Sequence, residues 1–337
     1  MRAEQPISSP SESAPPQAVV LDLAQYTLEQ LRSDGELVLH RGHHVTSGEA
    51  SGPSILLLSP VSEHPSRSTL RGMQREYSLR TELDPGYAAR PLALVEPEGR
   101  PALVLDDPGG MPLDHLSNGP MEIAQFLRLA IGIAAALGHA HDRELVHKDI
   151  KPANILVNDA TGQVWLMGFG IASRLPRERQ SPEPPEFIAG TLPYMAPEQT
   201  GRMNRSIDSR SDLYALGVTL YEMLTGRLPF NASDPMEWVH CHIARRPVPP
   251  GERLAGLPAA VSSIVMKLLA KTGEERYQTV AGVEHDLRLC LAEWAARRRI
   301  DSFPLGEHDA PGRLLIPEKL YGREHAGPCS TPSSRLS

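Results

Sequence analysis

The first lysine of this 337-residue chain is Lys148; the 147 residues before it contain none. It stands in a dense polar run, His147-Lys148-Asp149-Ile150-Lys151-Pro152-Ala153-Asn154, in which an aspartate, a lysine and an asparagine follow at short fixed spacing. Any fold whose chemistry draws a lysine from the first part of the chain must do without it here. The run also divides the chain by character, with short strand patterns before it and helical patterns around and after it.

Residues 1–17 are rich in Pro, Ser and Glu and are expected to be disordered. Residues 38–41 and 55–58 are apolar runs bounded by Gly, Pro and Ser, which predicts strands. Residues 67–83, after Pro65, predict a helix with Leu70, Met73, Tyr77 and Leu79 on its apolar face and Glu76 within it. Residues 90–96 and 101–105 predict two more strands joined by a Glu-Gly-Arg turn. Beyond Asp107-Pro108-Gly109-Gly110 the pattern turns helical. Residues 124–141 are apolar on nearly every side, which implies a buried helix. Further helices are predicted near 210–226, 234–245, 258–271 and 278–299.

Apolar residues make up 40% of the chain, enough for a sizeable core, and the formal net charge is −7. That balance argues against nucleic acid as the main partner, because a basic footprint is missing. Cys241, Cys290 and Cys329 are odd in number and far apart, which reads as reduced thiols. No apolar run approaches the roughly 20 residues that a membrane helix needs. The N-terminus lacks the apolar stretch of a secretory signal. A cytoplasmic protein without a membrane segment is therefore expected.

His240-Cys241-His242 invites a metal reading. Residues two apart on a helix point about 200° from one another, so the two histidines cannot share an ion. His43-His44 is expected in an exposed turn. Arg297-Arg298-Arg299 falls at a helix end, where positive charge suits the dipole.

The polar run resembles the catalytic loop of a bacterial Ser/Thr protein kinase of the Hanks type. Further motifs follow in the family's order. Trp165-Leu166-Met167-Gly168-Phe169-Gly170 stands where the family has D-F-G, with Gly168 in place of the aspartate. Met195-Ala196-Pro197-Glu198 matches A-P-E, preceded by Gly190-Thr191. Ser211-Asp212-Leu213-Tyr214-Ala215-Leu216-Gly217 matches the central helix, and Glu274 to Gln278 resembles the late motif holding Arg276. The resemblance spans roughly residues 26–300.

It implies an α+β, two-lobed protein kinase fold with a small strand-rich lobe (about 18–107) and a larger helical lobe (about 111–300). Asp149 would be the catalytic base, Lys151 would support the phosphoryl group, and Asn154 would hold magnesium. His147, Phe169, Thr191, Glu198, Asp212 and Arg276 would be structural, with Glu198 pairing Arg276 and Asp212 bracing the loop. Leu58, Glu76, Leu105, Asp106, Asp107 and Gly168 fall at positions of the ATP cleft.

The small lobe departs from the pattern. Leu58 stands where the family's strand lysine grips the phosphates, leaving Glu76 without its partner, so a solvated or arginine-paired Glu76 is expected. Arg67 or Arg71 are the candidate replacements. The loop near residues 31–39 holds Gly35 but no G-x-G-x-x-G. These losses imply weak binding of ATP and magnesium. The leading expectation is a kinase-like regulatory module with weak or no phosphotransfer, acting through protein partners in a signalling assembly. The rivals are an active Ser/Thr kinase and a shortened product. Ile316 to Glu324 resembles the junction that follows a kinase module in large bacterial signalling proteins, ahead of a P-loop ATPase and a sensor histidine kinase. No G-x-x-x-x-G-K-[ST] follows, so residues 301–337 read as linker and tail.

Overall fold

The computed structural model describes residues 23–46, 49–50, 53–116, 119–174, 190–203 and 205–310. The expected disorder of 1–17, the junction at Ile316–Glu324 and Cys329 lie outside them.

The small lobe is built on one antiparallel sheet. It comprises β1 (Tyr26–Ser33), β2 (Leu37–Thr46), the short β3 (Glu49–Ala50), β4 (Ile55–Pro60), β5 (Pro91–Val95) and β6 (Ala102–Asp106). Their order is β1-β2-β4-β6-β5, with β3 on β2. The turn between β1 and β2 uses Asp34 and Gly35. Asp34 accepts from the N–H groups of Glu36 and Leu37, and Gly35 takes a φ of 88°. Helix α1 (Arg67–Ser78) packs against this sheet and starts where the Ser66 hydroxyl caps the N–H of Thr69.

The large lobe begins with β7 (Met111–Pro112) and the core helix α2 (Ile123–Asp142). After β8 (Leu145–Val146) and the polar loop come β9 (Ile155–Asn158), β10 (Gln163–Leu166) and β11 (Ser173–Arg174). Helices α3 (Ser209–Thr225), α4 (Pro235–Ile243), α5 (Pro250–Arg253), α6 (Ala259–Leu268) and α7 (Val280–Arg297) complete it. Asp208, Asp234 and Thr279 cap α3, α4 and α7 through their side-chain oxygens. The chain therefore adopts the α+β, two-lobed protein kinase fold.

Helix α2 is apolar on most sides because it is surrounded. Phe126, Leu127, Ile133, Ala134, Leu137 and Ala140 are each fully buried. At Gly132 the helix meets the β9–β10 hairpin so closely that an added Cβ would lie 2.6 Å from the Gly162 carbonyl oxygen. Contrary to the expectation that no segment reaches that length, its 20 residues, with a mean hydropathy of 1.5 over the most apolar window, are long and apolar enough to cross a membrane by length and composition. More than half of that window is buried inside the protein, as befits a core helix.

Several local expectations are corrected. The strand β1 was not anticipated, because Tyr26–Ser33 alternates poorly and carries two consecutive buried residues, Leu31 and Arg32, at a β-bulge. His43 and His44 are not in a turn; they lie in β2, paired with Thr27 and Tyr26. Helix α1 ends at Ser78 rather than near residue 83. In α4, His240 is exposed whereas His242 is buried, its ring bonded to the Tyr214 hydroxyl and the Leu192 carbonyl.

Arg276 and Glu198 tie the segment ahead of α3 to the late helices. Arg276 donates to both carboxylate oxygens of Glu198, at 2.7 and 2.9 Å, with its own side chain fully buried. It also donates to the carbonyls of Ala270 and Arg210, and Ser211 donates to Glu198. Burial pushes the Glu198 pKa up, but the Arg276 charge outweighs it and holds the carboxyl below its usual range. Removing one partner of such a pair strands a buried charge. Arg276→Ala should therefore lose about 3–5 kcal/mol in chemical denaturation; a midpoint like the parent's would show that the pair carries no such weight.

Candidate active site

The polar loop is held from behind by Asp212 at the start of α3. This fully buried carboxylate accepts from the backbone N–H groups of His147 and Lys148, at 2.8 and 2.7 Å, and from His141 Nε2 at 2.8 Å. Burial raises the Asp212 pKa, but the His141 hydrogen bond and charge, with help from His147, hold it below its usual value. Lys148 sits at a φ of 69°, a conformation that a non-glycine residue keeps only when its surroundings impose it. The two N–H bonds to Asp212 impose it.

His147 is fully buried. Its Nε2 meets the Met167 carbonyl at 3.0 Å, while its Nδ1 accepts from the N–H of Asp149 at 3.2 Å. Since Nδ1 accepts and Nε2 faces a carbonyl, the hydrogen bonds assign the ring's proton to Nε2, and burial lowers its pKa in the same sense. The ring packs on Phe169, centroids 4.5 Å apart. The loop, α3 and the Gly168-Phe169-Gly170 turn are thus one connected unit.

On the open side of the loop, Asp149 Oδ1 accepts from the Thr191 N–H at 3.0 Å. Its Oδ2 accepts from Asn154 Nδ2 at 2.9 Å and lies 3.2 Å from Lys151 Nζ. Lys151 also donates to the Thr191 hydroxyl at 2.6 Å. Asp149, Lys151, Asn154 and Thr191 are therefore brought together as one charge-compensated cluster.

The small-lobe face differs from what the motifs led one to expect. Leu58 is buried in an apolar cluster with Leu31, Leu39 and Met73. Glu76 is neither solvated nor ion-paired at close range; it is buried and accepts from the Gly168 N–H at 2.9 Å. Burial raises its pKa to about 7, against the opposing pull of the Gly168 and Phe169 backbone N–H groups and of Arg32. Arg67 and Arg71 point to solvent and replace nothing.

The cation on the small-lobe side of the cleft is Arg32. Its side chain is 6% exposed and reaches Asn154 Oδ1 at 3.4 Å and Asp34 at 3.3 Å, while its Nε has no partner. Sequence reasoning missed Arg32 because period-2 alternation, with Leu31 inward, places its neighbour outward. The bulge between Gln30 and Arg32 turns both inward. The Asp34-Gly35 turn signal was the available clue that a strand ended here.

A cavity of about 340 Å³ opens between these two faces. Arg32, Leu58, Glu76, Asp149, Lys151, Asn154, Gly168 and Thr191 line it. Leu105, Asp106 and Asp107 do not. Leu105 is fully buried with Leu39, Leu56 and Leu156 in one apolar cluster that spans both lobes. The Asp107 carboxylate accepts from Arg41 at 2.7 and 3.1 Å, and Arg41 also donates to the Gly110 carbonyl. The end of the cleft beside Asp107 is thus packed and ion-paired, and the end beside the polar loop is open.

Protein kinases use ATP with magnesium, and the residues present fit the metal poorly. Gly168 offers no oxygen, and its φ of 82° leaves an added Cβ only 2.7 Å from Asn154 Cγ. The Asn154 carbonyl oxygen faces the Arg32 cation, and its amide faces Asp149. Among the described residues, no group of three or more His, Cys, Asp or Glu side chains is placed to hold a metal ion.

Glu76 supplies a pH test. Its folded pKa, near 7, lies above the ordinary 4.5, so its contribution to stability is intact below pH 4.5 and is lost as pH rises through about 7. Glu76→Gln should remove that loss: relative to the parent, the variant gains stability between about pH 5 and pH 8 in urea denaturation. Parallel profiles for the two proteins would show that Glu76 ionises normally.

The motifs and this geometry agree with comparisons to known proteins. Residues 61–287 match the protein kinase domain model. Over 189 residues, 56% of this chain and 30% of the relative, the sequence is 37% identical to the serine/threonine-protein kinase PknB of Mycobacterium tuberculosis. It is 34% identical over 229 residues to a probable serine/threonine-protein kinase of Corynebacterium efficiens, covering 65% of this chain and 34% of that protein. It is 36% identical over 197 residues to the kinase Pkn1 of Myxococcus xanthus, covering 58% and 28%. The chain thus spans about a third of the length of the curated relatives it matches. On the matched domain, with its loop motif and two-lobed fold, this chain belongs to the protein kinase family and resembles its bacterial Ser/Thr branch.

Proposed function

We propose that this chain is a kinase-fold signalling module that transfers phosphate weakly or not at all and acts by binding protein partners. The observation that carries the reading is the state of the Asn154–Gly168 pair. Gly168 offers no carboxylate, and Asn154 has its oxygen turned to Arg32. Phosphoryl transfer depends on positioning and charge neutralisation, with little covalent work for the protein. Each lost preorganised contact costs about 10²–10³ in rate. Two such losses, the strand lysine and the Gly168 carboxylate, amount to roughly 10⁴–10⁶, less if the groups act as a unit. From the usual 1–100 s⁻¹, turnover falls to about 10⁻² to 10⁻⁶ s⁻¹. Binding of ATP with magnesium is weak on the same grounds. The cytoplasm suits the buried thiols Cys241 and Cys290.

A second reading has its own support. Asp149, Lys151 and Thr191 keep a compact arrangement around the loop, and the relatives named above are described as Ser/Thr kinases. Under it, Asp149 is the base of a working kinase. The two readings part on incorporation of label from ATP with magnesium or manganese. The module reading expects turnover below about 10⁻² s⁻¹. A parent rate above about 0.1 s⁻¹ that Asp149→Ala abolishes, with the fold intact by circular dichroism, would establish the active enzyme instead.

A further inference from the structure

We propose that Arg32 makes the open end of the cleft a seat for a phosphate chain bound without a divalent metal. The inference deepens the module reading above and rests on it for the metal's dispensability. Arg32 arrives from β1, not from the strand that carries Leu58, and its side chain is more than nine-tenths buried. A guanidinium has five N–H donors. Here two contacts are made, both long, at 3.3 and 3.4 Å, and the buried Nε makes none. A buried cation whose ion pair to Asp34 is long and whose Nε is unpartnered has donors left for a further anion in the adjoining cavity of about 340 Å³.

The carboxylates around it are largely committed, and the one that meets Arg32, Asp34, does so through a single oxygen at 3.3 Å. Asp34 accepts from the N–H groups of Glu36 and Leu37. Glu36 accepts from the Thr69 hydroxyl. Glu76 accepts from the Gly168 N–H. Asp149 is matched by Lys151, Asn154 and Thr191. Arg32 is thus the cleft group with unused capacity, and its fork suits phosphate oxygens. A nucleotide or an inorganic polyphosphate could supply the chain. The packed leucines Leu39, Leu56, Leu105 and Leu156 leave little at the far end to hold a base.

The test uses the intact chain and thermal shift or calorimetry with tripolyphosphate, ATP or adenosine, each in EDTA and in magnesium. Tripolyphosphate should bind in EDTA, and no more tightly in magnesium. Arg32→Met and Arg32→Gln should each weaken it at least about tenfold, since a charge-assisted bidentate contact is lost. Met keeps the volume and Gln keeps a polar contact to Asn154, so at least one variant should fold. ATP binding like tripolyphosphate identifies the inorganic chain as sufficient; ATP binding tenfold tighter identifies the nucleotide; both uphold the phosphate seat. Silence of both phosphate compounds in EDTA, dependence on magnesium, or unchanged binding in a folded Arg32 variant would overturn it. Rapid phosphotransfer on the same samples would sink the module reading instead, so the two failures are told apart.

Discussion

The carboxylate of Asp212 is the point on which the large lobe's site depends. It is fully buried and takes three donors, two from the loop backbone and one from His141. That satisfies a buried charge and at the same time holds Lys148 in a left-handed conformation that its own side chain disfavours. From this anchor the loop can place His147 against Phe169 and leave Asp149 facing the cleft. The Glu198–Arg276 pair serves the segment holding Thr191 in a similar way, through charge rather than backbone.

The two halves of the cleft tell different stories. The loop side keeps a compact, compensated group of Asp149, Lys151, Asn154 and Thr191. The small-lobe side has apolar packing at Leu58 and a cation that enters from β1. Glu76 changes its role with its partner. Without a lysine, its carboxylate faces the Gly168 backbone, and burial drives its pKa up. At the other end, Arg41 and Asp107 close the connection between the lobes by an ion pair with a nearly inaccessible carboxylate.

Much of this was legible in the sequence. Motif order was enough for the two-lobed fold, because each motif is a short local segment whose role depends on its neighbours in the chain. The helices α2, α3, α6 and α7 were visible in their apolar content, and the Glu198–Arg276 pair in its motifs. The small lobe was harder. Strand β1 escaped because its burial does not alternate, and His43-His44 read as a turn because two histidines carry little strand signal.

What the sequence by itself determined is therefore the family resemblance, the missing lysine and the missing Gly168 carboxylate, all of which are matters of residue identity at a position. What only the tertiary structure decided is which groups fill the gaps. Arg32 and Asn154 are 122 residues apart, and nothing in either local pattern joins them. Their meeting depends on a one-residue bulge that turns a side chain from solvent to cleft, and on the packing of two lobes across it. Long-range contacts of that kind follow from the summed geometry of the sheet, not from any window of the chain.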